Sequence, residues 1–207
     1  MSGLTWENVR STFNVMNTST TNTREKILAT AEQLIYQNGI QATGMDLLVK
    51  TSGVARKSIY RYFATKDEVA AAALNARDVR WMDWFRSESN KADTPEARIL
   101  NMFDVLKGWF ESEGFRGCAF INTAGEVGDS EDPIRLIAKL HKQKLLDYTL
   151  GLCEQLGIAD PQALANQLLI LMEGAITVAR VMGDYSAAES AKAVAQLILE
   201  ERLRSSS

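Results

Sequence analysis

Residues 56 to 62 read Arg56, Lys57, Ser58, Ile59, Tyr60, Arg61, Tyr62, followed by Phe63. On a helix, Ile59 and Phe63 lie one turn apart and, with Val54, supply the inward contacts. Lys57, Ser58, Tyr60, Arg61 and Tyr62 then project away from them. That outward face carries cations, phenols and a hydroxyl, begins at Arg56, and holds no carboxylate. A solvated helix usually mixes charge signs. A face of donors without acids suits a phosphate-lined groove, where such side chains meet phosphate oxygens and base edges.

Other chemistries lack their parts. There is no phosphate loop, no nucleophile elbow and no Cys/His set spaced for zinc, so neither catalysis nor a metal or cofactor is expected. His141 is the single histidine, and two cysteines, Cys118 and Cys153, are too few for a disulfide scaffold. With 207 residues, 46% of them apolar, the chain can bury a core without staples. No run approaches the ~20 uncharged apolar residues of a membrane span. Gln167 to Met182 comes nearest and carries Glu173 and Arg180. No membrane association and a cytoplasmic location are therefore expected.

The net charge of −3 hides an asymmetry. From Thr23 to Arg80 there are nine Lys/Arg against six Asp/Glu, a net of +3, whereas from Trp81 to Ser207 the balance is thirteen against nineteen, a net of −6. A basic end on an acidic body fits an anion-binding head on a body with a different job.

The elements that must position the donor face all read as helices, because Pro is scarce and alternating β-branched runs are absent. After an expected flexible, polar N-terminal tail at residues 1–22, a helix runs from Thr23 to the stop at Gly39, with Ile27, Leu28, Ala31, Leu34 and Ile35 as its buried stripe. Short helices follow at about Gly44 to Thr51 and Ala55 to Phe63, joined at Ser52-Gly53, where Gly53 permits a sharp turn. A long helix capped by Thr65 reaches about Ser89. The spacing then predicts helices from Pro95 to about Gly114, Arg116 to Val127, Pro133 to about Gly157, Pro161 to about Gly183 and Ser186 to Arg204. The expected fold is all-α, about nine helices.

The segment from Thr23 to about Leu74 resembles the DNA-binding head of the tetracycline-repressor (TetR) family. The matching elements are G-I-Q-A-T at Gly39 to Thr43, the Gly53-Val54 turn, S-I-Y-R-Y-F at Ser58 to Phe63, and T-K-D-E at Thr65 to Glu68. The resemblance implies a helix-turn-helix domain over 23–70 and an effector-binding and dimerisation body over 71–207. It places Thr43 near the DNA backbone and Arg56, Lys57 and Ser58 in the major groove. Tyr60 and Tyr62 would hold phosphates, Arg61 a base edge or a phosphate, and Lys66 a phosphate at a helix N-terminus. Arg56 and Arg61 are the best candidates for base readers. Gly44 and Ala55 depart from the pattern, standing where the family usually places Ser or Thr caps.

The resemblance also implies a pocket for a small organic effector in the body. Candidate lining residues are Trp81, Trp84, Phe85, Phe103, Trp109, Phe110 and Phe120, together with polar groups in apolar stretches: Cys118, Asn122, His141, Tyr148, Glu173, Thr177 and Arg180. Glu173 and Arg180 could equally pair across a subunit interface, and Cys118 could be a thiol sensor or a small buried hydrophobe. Apolar stripes at Leu164, Leu168, Leu171 and Ala175, and at Val194, Leu197 and Ile198, need a partner surface. A homodimer through the last two long helices would place two heads on a near-palindromic double-stranded operator. The expected function is a ligand-responsive DNA-binding regulator, a repressor released by its effector. An activator with the same head, or a helical ligand-binding or enzyme module without DNA function, is the alternative.

Overall fold

The computed structural model describes residues 23–205, so the polar segment 1–22 lies outside the described residues. Among these are nine helices and no strand: α1 (Thr23–Asn38), α2 (Met45–Ser52), α3 (Arg56–Tyr62), α4 (Lys66–Ser89), α5 (Pro95–Phe110), α6 (Ala119–Glu126), α7 (Pro133–Glu154), α8 (Pro161–Met182) and α9 (Ala187–Arg204). They fall into two compact units, one of residues 23–81 and 118–141, the other of 82–117 and 142–205. The expected boundary near residue 70 falls inside α4, which runs unbroken into the second unit.

The first unit is organised by α1, whose Ile27, Leu28, Ala31 and Leu34 form a stripe against Leu48, Ile59, Phe63, Val69 and Ala73. Each break has a local cause. Gly53 takes φ +65, and its N–H donates to the Val49 carbonyl, closing α2. Phe63 turns extended after α3. The T-K-D-E run is a reciprocal cap: the Thr65 hydroxyl accepts the Glu68 N–H at 3.1 Å, while the Glu68 carboxylate accepts the Ala64 N–H at 2.7 Å.

In the second unit α9 packs on α8 and α5, with Lys107–Glu189 and Lys192–Asp104 ion pairs, both 2.5 Å, bridging α5 to α9. On α8 the structure corrects the sequence reading, whereas Val194 and Leu197 of α9 are exposed as that reading requires. The stripe Leu164, Leu168 and Ala175 faces inward and is buried. The apolar groups that α8 and α9 leave outside are Ile170, Val181, Met182, Val194 and Leu197, between 43% and 77% exposed. A 22-residue helix has apolar residues enough for both faces, and periodicity alone does not say which meets α5 and α9. By length and composition α8 could cross a membrane, yet Leu164, Leu168 and Met172 are wholly buried in the fold.

Helix ends also differ. α5 stops at Phe110, not Gly114, because Phe115 folds back onto Trp109 and Phe110, each at 5.1 Å between ring centroids. α6 starts at Ala119, not Arg116, because Gly117 takes φ +79 with the Arg180 stem against it: a Cβ there would lie 2.9 Å from Arg180 Cγ. α7 ends at Glu154, ahead of Gly157 at φ +69.

Cys153 is wholly buried in the second unit, and desolvation, with Glu154 adding to it, pushes its thiol up to about 12 from 9.0. A proton held more tightly in the folded state stabilises fully below about pH 9, and this contribution is lost as the pH rises towards about 12. Cys153→Ala should therefore flatten the alkaline limb of a stability-versus-pH profile relative to the parent, measured by urea unfolding between pH 8 and 11. An unchanged limb would refute that.

Candidate nucleic-acid interface

α2, the Gly53 turn and α3 form a helix-turn-helix whose second helix keeps Ile59 inside and presents the rest. Ile59 is 0% exposed and Phe63 6%, whereas Tyr60 and Tyr62 are 48% and 43% exposed. Arg56, Lys57 and Arg61 are exposed with them, and Ser58 is half-buried. Val54 anchors the turn, its N–H donating to Ser52 Oγ at 3.2 Å. The outward array of two phenols and three cations read from the spacing is thus on one exposed surface.

Two cap positions lack side-chain bonds: Gly44 before α2 and Ala55 before α3. Ala55→Ser would let a hydroxyl accept an orphan N–H of α3, and a raised stability of about 1 kcal/mol is expected from urea melts. No gain would mean that α3 is already ordered fully by Ile59 and Phe63.

Two other predicted DNA-facing residues are engaged within the chain. Thr43 is buried, and its hydroxyl donates to the Gly39 carbonyl at 2.7 Å. Lys66 Nζ donates to the Ile40 carbonyl at 3.2 Å. Both brace the corner between α1 and α2. A third brace was not anticipated: the Glu126 carboxylate, at the end of α6, accepts the Gln41 N–H at 3.0 Å and lies over Gly39. Arg135 in turn donates to the Ala124 and Val127 carbonyls at 3.0 and 3.2 Å, holding the α6 terminus.

The candidate effector residues divide between the units. In the first, His141 is buried, stacked on Phe120 at 3.8 Å and edged by Trp81 at 5.2 Å, with Nδ1 2.7 Å from Asp78 Oδ1. Cys118 is buried at the start of α6, while Asn122 is exposed. Beside them Arg77 is buried, donating to Glu32 at 3.0 Å with its guanidinium 4.0 Å from the Tyr36 ring centroid. Burial lowers the Arg77 pKa, and Tyr36 and Cys118 pull it back up. Arg80 joins Glu32 too, and burial also lowers its pKa.

In the second unit Trp84, Phe85, Phe103, Trp109 and Phe110 are core. Tyr148 meets Phe85 edge-on at 6.1 Å and donates to Asn90 Oδ1 at 3.0 Å; desolvation raises its pKa. Glu173 pairs with Lys142 at 2.6 Å. Thr177 and Arg180, expected on one face with Glu173, are exposed, and the Thr177 hydroxyl donates to the Glu173 carbonyl.

An all-α chain with an exposed, donor-rich recognition helix set by a glycine turn is a helix-turn-helix DNA-binding protein. The profile of bacterial regulatory proteins of the tetR family matches residues 27–73, and that of the tetracyclin repressor-like C-terminal domain matches 95–195. The chain belongs to the TetR family of transcriptional regulators. The HTH-type transcriptional regulator YjdC of Escherichia coli (strain K12) is 24% identical over 177 residues, spanning 85% of this chain and 93% of that protein. The HTH-type transcriptional repressor NemR of the same strain is 34% identical over 119 residues, 55% of this chain and 58% of that protein. The crystal structure of a TetR-family transcriptional regulator from Streptomyces coelicolor superposes with a TM-score of 0.83 at 26% identity, covering 94% of this chain and 96% of that one.

Proposed function

We propose that this regulator is a cytoplasmic homodimeric repressor that leaves a near-palindromic operator when a small organic effector binds its body. The carrying observation is the α3 surface: Lys57, Tyr60, Arg61 and Tyr62 exposed around a buried Ile59, with Arg56 at its start. Arg56, Lys57 and Ser58 face the major groove, Arg61 a base edge or phosphate, and Tyr60 and Tyr62 phosphates. Thr43 and Lys66 shape the corner that holds this surface. Residues 23–70 are the reading head and 71–207 the effector-binding and dimerisation body. The outward apolar groups of α8 and α9 support a two-fold bundle between copies, which would seat two heads in successive major-groove faces about 34 Å apart.

The similarity to a protein named as a repressor supports that sign of regulation. Release needs an effector that favours a state whose heads are wrongly spaced, and the loss of affinity is then limited by its differential affinity for the two states. Two elements can carry the change. α4 runs from the head to Ser89, and α6 begins beside the His141–Phe120 stack and ends at the Glu126 brace.

Binding of the purified protein to tiled DNA from around its own gene, at several salt concentrations, tests this. One tightly held fragment with a steep salt slope, weakened by Arg56→Ala or Lys57→Ala, is expected. Uniform weak binding that ignores both substitutions would contradict it.

A further inference from the structure

The recognition helix has no acid of its own, yet the fold brings one to it. Asp46, in the first turn of α2, pairs through Oδ1 with Arg56 Nη2 at the start of α3. Its side chain is 91% exposed, so packing does not explain its position, and the Arg56 side chain is 49% exposed. A carboxylate on a surface that meets phosphates is repelled by them, and it is out of keeping with the exposed Lys57 and Arg61 of α3. We propose, taking the DNA-reading role of α3 as given, that Asp46 is a positioning residue that makes Arg56 a base reader and not a phosphate anchor.

A guanidinium presents five N–H donors in a rigid fork. The pair with Asp46 engages Nη2, leaving the other edge of the fork to meet guanine O6 and N7 together. Three consequences follow. Arg56 is held before it meets DNA, which reduces the side-chain freedom lost on binding. Its charge is partly matched, so moving to a phosphate gains less than it would for a lone guanidinium. A phosphate approaching Arg56 must also approach Asp46, whereas a guanine edge carries no charge to be repelled. Asp46 therefore lowers affinity for DNA in general and raises the distinction between right and wrong sequence.

The test uses the full-length protein. The parent first selects duplexes from a randomised pool. Binding of the selected duplex and a scrambled one is then measured across salt concentrations for the parent, Asp46→Asn, Arg56→Ala and the double variant. For Asp46→Asn, we expect tighter binding to the scrambled duplex with a salt slope steeper by about one. The preference for the selected duplex should fall on the order of tenfold, the scale of one lost bidentate base contact. In the Arg56→Ala background, Asp46→Asn should leave the preference unchanged, because the role runs through Arg56. Equal changes on both duplexes, or the same loss of preference without Arg56, would overturn the proposal while leaving the DNA-reading role of α3 intact. A parent that selects no sequence overturns that role, and this proposal with it.

Discussion

Asp78→Ala is expected to lower the unfolding free energy by about 1–3 kcal/mol. Asp78 is 3% exposed, and the imidazole it meets, His141, is 2% exposed with Nδ1 2.7 Å from Oδ1. Phe120 covers one face of that ring at 3.8 Å and Trp81 meets it edge-on, so the buried ring is held in place when its carboxylate partner is removed. A buried polar group stripped of its partner carries its full desolvation cost, which is larger than the net value of the bond when made. Asp78→Asn, which keeps an acceptor oxygen at the same place, should lose much less. Urea unfolding at neutral pH separates the two, and a loss below about 1 kcal/mol for the alanine variant would show that the cluster relaxes to satisfy His141 otherwise.

Gly39→Ala should cost about 2–3 kcal/mol, from two separate sources. Gly39 sits at φ +87, where an L side chain is strained, and a Cβ would lie 2.6 and 2.8 Å from the Glu126 carboxylate oxygens. Glu126 is flexible enough to swing aside, but it then releases the Gln41 N–H that it holds at 3.0 Å. The two sources can be pulled apart. Glu126→Ala removes the brace alone, at about 1 kcal/mol, and Gly39→Ala in that background should cost only the backbone strain. The double variant should thus be more stable, by about 1 kcal/mol, than the sum of the singles implies. Strict additivity would mean that Glu126 and Gly39 do not act together.

The head was legible in the sequence because its signals are local. Ile59 and Phe63 share a face by spacing, Gly53 stands where the chain must turn, and Thr65 with Glu68 spells a reciprocal cap. What escaped depended on distance along the chain. Arg56 and Asp46 are ten residues apart on different helices, and Gln41 and Glu126 are 85 apart. No period links either pair. Arg77 and Asp78 left a trace that could have been followed. Leu74, Trp81 and Phe85 mark the buried stripe of α4 at helical spacing, and Arg77 falls in that register, so a charged residue was due to be buried with a partner. The partners themselves, Glu32 and His141, come from α1 and α7.

In the second unit the helices were legible and their faces were not. Leu164 and Leu168 form as regular a stripe as Ile170, Thr177 and Val181 on the other side of α8, and only packing on α5 and α9 decides which is inside. Asn122, Thr177 and Arg180 are candidate lining residues because apolar residues surround them in sequence, and all three are exposed. On a helix, neighbours in sequence point in different directions, so an apolar context does not imply burial.

In the proposed function the α3 surface reads a two-fold operator. A footprint on the tightest fragment from the DNA tiled around its gene, taken with the parent and with Lys57→Ala/Arg61→Ala, tests it most directly. Both residues are exposed, so their loss should leave the helical circular-dichroism signal unchanged. Two protected patches related by two-fold symmetry, about 10 base pairs or a multiple of that apart, are expected, with their disappearance in the variant. A single unpaired patch, or full protection by a folded variant lacking both cations, would contradict it.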